Sequence, residues 1–228
     1  MGSKKPLEVL IIGAGSRGMY LFGELVKRED VNARVFAIAE PDGAKRKKMA
    51  CEHGISPEYC FETGSDALNL EKMCDAVILT TPDRTHRDLA LKALERGYDL
   101  LLEKPMATTP EECVDILKAQ KKSKKLLSVC HVLRYAPFFQ EMKKLLDSKK
   151  LGNILSVDLL EEIGYWHFAH SYVRGNWRNK QTSGPVILTK SCHDLDILTW
   201  LLESDVSSIA SSGSLKHFRS VNAPGGST

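Results

Sequence analysis

The sequence predicts an α/β protein: a doubly wound parallel sheet over about residues 1–130, followed by a smaller second domain over residues 131–228. Three observations carry this expectation. Short apolar runs alternate with helix-length segments through the first part, a glycine-rich turn joins the first run to the first helix, and the alternation breaks off near residue 131. At ~100–200 residues per domain, 228 residues make one large domain or two small ones.

Leu7–Ile12, Arg34–Ala39, Asp75–Thr80, Tyr98–Leu102 and Leu126–Cys130 read as buried strands. Each is short, rich in Val, Ile and Leu, and bounded by Gly, Pro, Asp or charge. Helices are predicted between them at Arg17–Arg28, Gly43–His53, Thr85–Arg96 and Pro110–Lys121. Parallel neighbours need a crossover, the helices must cover both sheet faces, and right-handed crossovers then wind the sheet doubly. Thr109-Pro110-Glu111-Glu112 is a helix start: Thr109 caps, Pro110 suits the first helical position and Glu112 closes a capping box. Gly97 is a helix stop.

Beyond residue 131 a helix is predicted at Phe138–Ser148, then a turn at Leu151–Asn153 and a long strand at Ile154–Ile163. Residues 165–185, rich in aromatics, His, Arg and Gly, read as a loop region facing a ligand. A helix at Cys192–Leu202, capped by Ser191 with Asp194 three residues on, precedes a further strand at Ser207–Leu215 and a closing loop from Asn222. No internal repeat is visible, and the lysine groups at 121–125 and 149–150 read as solvated helix ends and turns.

Composition removes several function classes. Hydrophobic residues make up 43% and charged residues 27%, which supports a buried core and excludes a disordered chain. The balance of 32 Lys+Arg against 29 Asp+Glu leaves +3, too mild to make nucleic acid or a membrane the main partner. The apolar runs are strand-sized, short of the ~18 residues of a membrane span. Met1–Pro6 lacks a signal-peptide apolar region, and Pro6 stands where the myristoylation pattern wants Ser or Thr. The expectation is a soluble, cytoplasmic protein. The six cysteines form no C-x-x-C pair and read as small buried thiols of a reducing compartment; no metal-ligand spacing is present.

The strongest local signal is Gly13-Ala14-Gly15-Ser16-Arg17-Gly18, directly after a strand and opening a helix. Gly13 permits the tight turn, Gly15 lets the main chain approach a pyrophosphate, and Gly18 lets helix and strand pack closely. The helix N-terminus attracts the anion, with Ser16 and Arg17 beside it. Glu40 ends the next strand ~20 residues on, where an acid bonds a ribose 2′-hydroxyl. That favours NAD over NADP, because a 2′-phosphate would be repelled, while Arg17, Lys45 and Arg46 nearby keep NADP open.

Three further motifs make the chain resemble the Gfo/Idh/MocA oxidoreductases, the glucose–fructose oxidoreductase and inositol dehydrogenase family. They are Thr81-Pro82-Asp83-Arg84-Thr85-His86, Glu103-Lys104-Pro105, and His193-Asp194-Leu195-Asp196 with Trp200-Leu201 downstream. The resemblance covers essentially the whole chain. It implies an N-terminal Rossmann domain and an α+β second domain with an open, mostly antiparallel sheet that serves substrate and homo-oligomer contacts.

By the resemblance, Lys104 is the acid/base residue at the nicotinamide, supported by Glu103, and His193 is the second polar group over the substrate. A lysine takes a proton from an alcohol near neutral pH when its pKa falls from ~10.4 toward ~7–8. Thr81, Pro82 and His86 are placed near the cofactor; for His86 a capping or packing role is an equal reading. Arg134, Tyr135, His167, Trp177, Arg178, Lys190 and Asp196 are expected on the substrate side, a mixture of aromatic faces and donors that suits a sugar or polyol. For the aromatic-rich segment, an interface loop is an equal reading. Many family members carry an aspartate four residues before the histidine; here that position is Thr189, followed by Lys190.

The resemblance thus implies hydride transfer between NAD and a sugar or cyclic polyol. Two alternatives stand beside it: an NAD-dependent glycosidase that works through transient oxidation, and a non-catalytic cofactor-binding regulator. Full family members are considerably longer, so a fragmentary chain, or one whose partner covers the gap, is the expectation.

Overall fold

A computed structural model describes residues 5–179, 183–223 and 225. The chain divides into two compact units between Cys130 and His131. Of the closing stretch Pro224–Thr228, read above as loop, all but Gly225 lies outside the described residues, as do residues 1–4 of the N-terminal reading.

The first unit is one parallel sheet of six strands: β1 (Leu7–Ile12), β2 (Ala33–Ala39), β3 (Cys60–Phe61), β4 (Ala76–Leu79), β5 (Asp99–Leu102) and β6 (Leu127–Val129). Their spatial order is β3-β2-β1-β4-β5-β6, the doubly wound Rossmann order, whose topological switch lies between β1 and β4. A helix of wide, π-type turns (Ser16–Gly23) follows β1. Then come α1 (Gly43–His53), α2 (Gly64–Asn69), α3 (His86–Glu95) and α4 (Pro110–Ser123).

Alternation along β1 explains why the sheet is buried on both faces. Leu10 and Ile12 join one apolar cluster with Ala37, Leu79, Leu94 and Leu102. Val9 and Ile11, pointing the other way, join a second with Val35, Ile38, Met19 and Phe22. Each fully buried Leu or Ile contributes ~1.5–3 kcal/mol, so the two layers hold the sheet from both sides. The β1–β2 register slips between Val9 and Leu10, which leaves Phe36 as the extra residue of a bulge; its ring packs 4.3 Å from that of Tyr59.

Most sequence expectations for this unit hold to within a few residues. Thr109 and Glu112 form the capping box, and Gly97, at φ +78°, follows the end of α3. Two elements are absent from the sequence reading: β3, only two residues long, and α2, which starts in a polar stretch with its own box between Thr63 and Asp66.

The second unit departs further. It holds α5 (Pro137–Asp147), α6 (Tyr165–Phe168) running into a wide turn at Ala169–Val173, α7 (Val186–Thr189) and α8 (Cys192–Leu202). Neither predicted strand forms: Ile154–Ile163 and Ser207–Leu215 carry no strand structure, and Leu155 and Leu160 stand 95% and 82% exposed. A strand exists only through its ladder, and among the described residues of this unit none supplies one. The expected antiparallel sheet, and the oligomer surface built on it, are therefore not seen. Ser191 sits at the N-cap of α8 but its side chain makes no capping bond. None of the described helices is long and apolar enough to cross a membrane.

The cysteines are all free, with Cys51 exposed and Cys74 and Cys130 buried. Burial pushes the thiols of Cys74 and Cys130 up to about 12, so neither forms the reactive thiolate near neutral pH. Iodoacetamide at pH 8 is expected to label Cys51 in the folded protein and to reach Cys74 and Cys130 only when urea unfolds the sheet. Mass spectrometry of the labelled peptides checks this; early labelling of Cys130 would contradict the packing under the sheet edge.

Candidate functional site

The carboxyl ends of β1, β2, β4 and β5 lie side by side, and the predicted cofactor residues follow them. In the turn after β1, Gly13, Ala14 and Gly18 are buried, whereas Gly15, Ser16 and Arg17 are exposed. Gly13 has φ +98°, and a Cβ on it would come 2.8 Å from the carbonyl oxygen of Thr80. At Gly18 a Cβ would sit 1.8 Å from the carbonyl oxygen of Gly13 and 2.9 Å from Thr80 Oγ1. Thr80, which the sequence reading passed over, locks the turn by donating to Gly13 O at 2.7 Å, with Ile12 O at 3.1 Å. Its signal was positional: it follows β4, the partner of β1.

Gly15 is different. Its φ of −73° suits any residue, and an added Cβ would meet no atom within 4 Å. Neither backbone nor packing asks for glycine there. A bare main chain before a helix N-terminus is what a diphosphate needs in order to reach the amides, so the residues present fit a dinucleotide.

Glu40 is turned inward. Its Oε2 accepts from Ala14 N–H at 2.6 Å and its Oε1 from Asp42 N–H at 3.0 Å, so it clamps the glycine-rich turn. Arg46 donates to the carbonyls of Glu40 and Pro41 from the first turn of α1. Arg17 Nε lies 3.5 Å from Glu103 Oε1, and Glu103 Oε2 accepts from the main-chain N–H of Lys104 at 3.0 Å. Lys104 is half-buried, two residues past the end of β5, and the Lys104–Pro105 peptide is cis.

Thr81 is half-buried and Pro82 exposed. His86 is not at the surface: it is 1% exposed. Its Nδ1 lies 2.8 Å from Pro105 O and its Nε2 2.9 Å from Thr81 O, so both ring nitrogens are already engaged by main chain.

In the second unit, the structure gathers part of the expected substrate set. Arg134, from the turn Val132–Tyr135, donates to both oxygens of Asp196 on α8, at 2.7 and 2.6 Å. That pairing holds the guanidinium above its ordinary value. His131 Nδ1 is 3.9 Å from Asp196 Oδ2, and its ring meets that of His193 edge-on at 5.9 Å. Trp177 and Arg178 instead border a cavity of about 420 Å³ with Phe168, Tyr172 and Phe218. Lys190 reaches Glu161 at 3.8 Å, His167 stacks on Trp166, and Tyr135 is exposed. Thr189 is buried, 3.1 Å from the Tyr172 hydroxyl. No group of three His, Cys, Asp or Glu side chains that could hold a metal ion occurs among the described residues.

A Rossmann sheet with this glycine turn defines a dinucleotide-binding fold. Residues 7–131 match the family model described as "Oxidoreductase family, NAD-binding Rossmann fold", and residues 143–224 match its "C-terminal alpha/beta domain". The chain belongs to this Gfo/Idh/MocA oxidoreductase family, and its first unit is the family's NAD-binding domain. It is 30% identical to inositol 2-dehydrogenase 4 of Saccharopolyspora erythraea, over 99% of this chain and 62% of that protein. Among solved structures, the WlbA dehydrogenase of Chromobacterium violaceum, in complex with NADH and UDP-GlcNAcA, superposes with a TM-score of 0.73 at 27% identity, over 88% of this chain and 56% of that one. An inositol dehydrogenase homologue of Azotobacter vinelandii complexed with NAD+ shares the fold, with a TM-score of 0.76 at 19% identity, over 87% of this chain and 54% of that one. The chain spans about half the length of the curated relatives it matches.

The two glycines separate packing from binding. Gly18→Ala is expected to destabilise the protein by about 3 kcal/mol, because the close backbone leaves the methyl no room. Gly15→Ala should stay within ~0.5 kcal/mol of wild type. Urea unfolding followed by circular dichroism measures both; equal losses would refute the assignment.

Proposed function

We propose that the chain is an NAD-dependent oxidoreductase acting on a CH–OH carbon of a sugar or cyclic polyol, with Lys104 as the acid/base group. One observation carries the reading: Arg17, from the turn that fits the diphosphate, reaches Glu103 beside Lys104 at 3.5 Å. The anion-binding turn and the lysine therefore lie within one side chain of each other.

Bound NAD supplies the nicotinamide carbon that accepts two electrons and a hydrogen from the alcohol carbon. The protein supplies the rest. The bare main chain at Gly15 and the amides of the helix start hold the diphosphate. Glu40 keeps the turn open through Ala14 N–H and retains acceptor capacity for the ribose hydroxyls. Lys104 takes the hydroxyl proton as the carbonyl forms and returns it in the reverse direction. His193, together with Arg134 and Asp196, is assigned to the substrate hydroxyls. The inositol dehydrogenase relatives and the WlbA complex with a nucleotide sugar acid support a polyhydroxylated substrate.

A second reading, NAD(H) binding without turnover, is favoured by Thr189. It is buried, cannot ionise, and lies against the Tyr172 hydroxyl.

Titration with NADH, followed by its fluorescence, and steady-state assay on a panel of sugars and polyols separate the two. Gly15→Val is expected to abolish binding. Lys104→Ala should bind NADH within about threefold of wild type and lose on the order of 10²–10⁴ in kcat. Tight NADH binding with no turnover of any panel member would select the second reading.

A further inference from the structure

Where β4 and β5 stop pairing, at Leu79 and Leu102, their extensions carry Thr81 on one side and Glu103-Lys104-Pro105 on the other. Glu103 N–H still donates to Leu79 O at 2.9 Å. Beyond that point, the imidazole of His86 continues the connection: it engages the carbonyl of Thr81 through Nε2 at 2.9 Å and that of Pro105 through Nδ1 at 2.8 Å. Both carbonyls belong to main chain at the sheet edge, and the ring between them is 1% exposed. Carbonyls only accept, so a hydrogen on either ring nitrogen is directed at one of the two, and the flat, rigid ring keeps both carbonyls within hydrogen-bond distance.

We propose that His86 is a positioning residue for Lys104: it fixes the main chain on which the lysine is mounted against the loop that begins at Thr81. The inference deepens the redox reading and rests on its assignment of Lys104. The ring reaches the residue directly after Lys104, and its other bond is anchored on the loop after β4. Loss of the Pro105 bond frees the Lys104 segment while the glycine-rich turn, held separately by Thr80 and Glu40, stays formed. Misplacing a reacting group by about 1 Å costs on the order of 10²-fold in rate, so such a tie matters even though it never touches the reacting atoms.

The test uses the full 228-residue chain as wild type, His86→Phe and His86→Gln. Phe fills the ring's space and removes both bonds. Gln is the folding safeguard: it keeps a donor for Thr81 and loses the Pro105 bond. Trace acetylation with acetic anhydride, with and without NADH, is read by mass spectrometry at Lys104 relative to Lys121 and Lys124, and folding is checked by circular dichroism. Expected are a change of about threefold or more in relative Lys104 labelling in both variants, loss of NADH protection at Lys104, and unchanged Lys121 and Lys124. NADH affinity should stay close to wild type. A folded His86→Gln protein whose Lys104 labels as in wild type overturns the proposal. If NADH fails to protect Lys104 even in wild type, the redox reading of Lys104 is at fault, and the labelling ratio measured without NADH still decides whether His86 positions the segment.

Discussion

The close approach of the turn after β1 to the end of β4 sets everything at the sheet edge. Gly18 lies so near Gly13 O that no side chain fits between them, and Thr80 Oγ1 closes the gap from β4. The helix Ser16–Gly23 can therefore start within the turn that follows β1, beside the end of β4. Because β4 is also the partner of β5, the same contact sets the distance from the diphosphate position to Lys104. A parallel sheet converts one tight turn into the spacing of two loops.

Buried charge at that edge is arranged to serve the main chain first. Glu40 and Glu103 are both buried acids, and each accepts main-chain N–H groups: Ala14 and Asp42 for the first, Lys104 for the second. Burying an ionised carboxylate is costly unless hydrogen bonds replace its water. Here the replacing donors are the loops that follow the carboxyl ends of β1, β2 and β5. The acids thus act as fasteners of loop conformation, and any ligand contact they make uses lone pairs left over. Arg17, half-exposed, reaches Glu103 from the solvent side.

What the sequence made legible follows the range of the interaction. The glycine turn, the Thr109–Glu112 box and the Gly97 stop are written within a few neighbouring residues, and all three stand in the structure. The two-residue β3 has too few positions to show a period. Pairings across long separations were out of reach: the sequence placed Arg134 and Asp196 on the substrate side without showing that they pair, 62 residues apart, and read His86 equally as a cofactor-side or a packing residue without showing that it sits between two carbonyls, one 19 residues on. Ile154–Ile163 shows the reverse error. A local apolar pattern described a strand, but pairing is decided by a partner the pattern does not contain.

The second unit narrows who can move a proton. Asp196 is the carboxylate nearest to His193 along α8 on the same helical face, yet both its oxygens are taken by Arg134. A bidentate pair of this kind fixes the carboxylate on the guanidinium and leaves it less free to reach the histidine. Thr189 cannot ionise, and Lys190 lies against Glu161. In the redox reading, the proton work therefore rests on Lys104, and the role left to His193 is to orient the hydroxyl. In that reading the segment that carries Lys104 is fastened by Glu103 on one side and, by the tie proposed above, by His86 on the other.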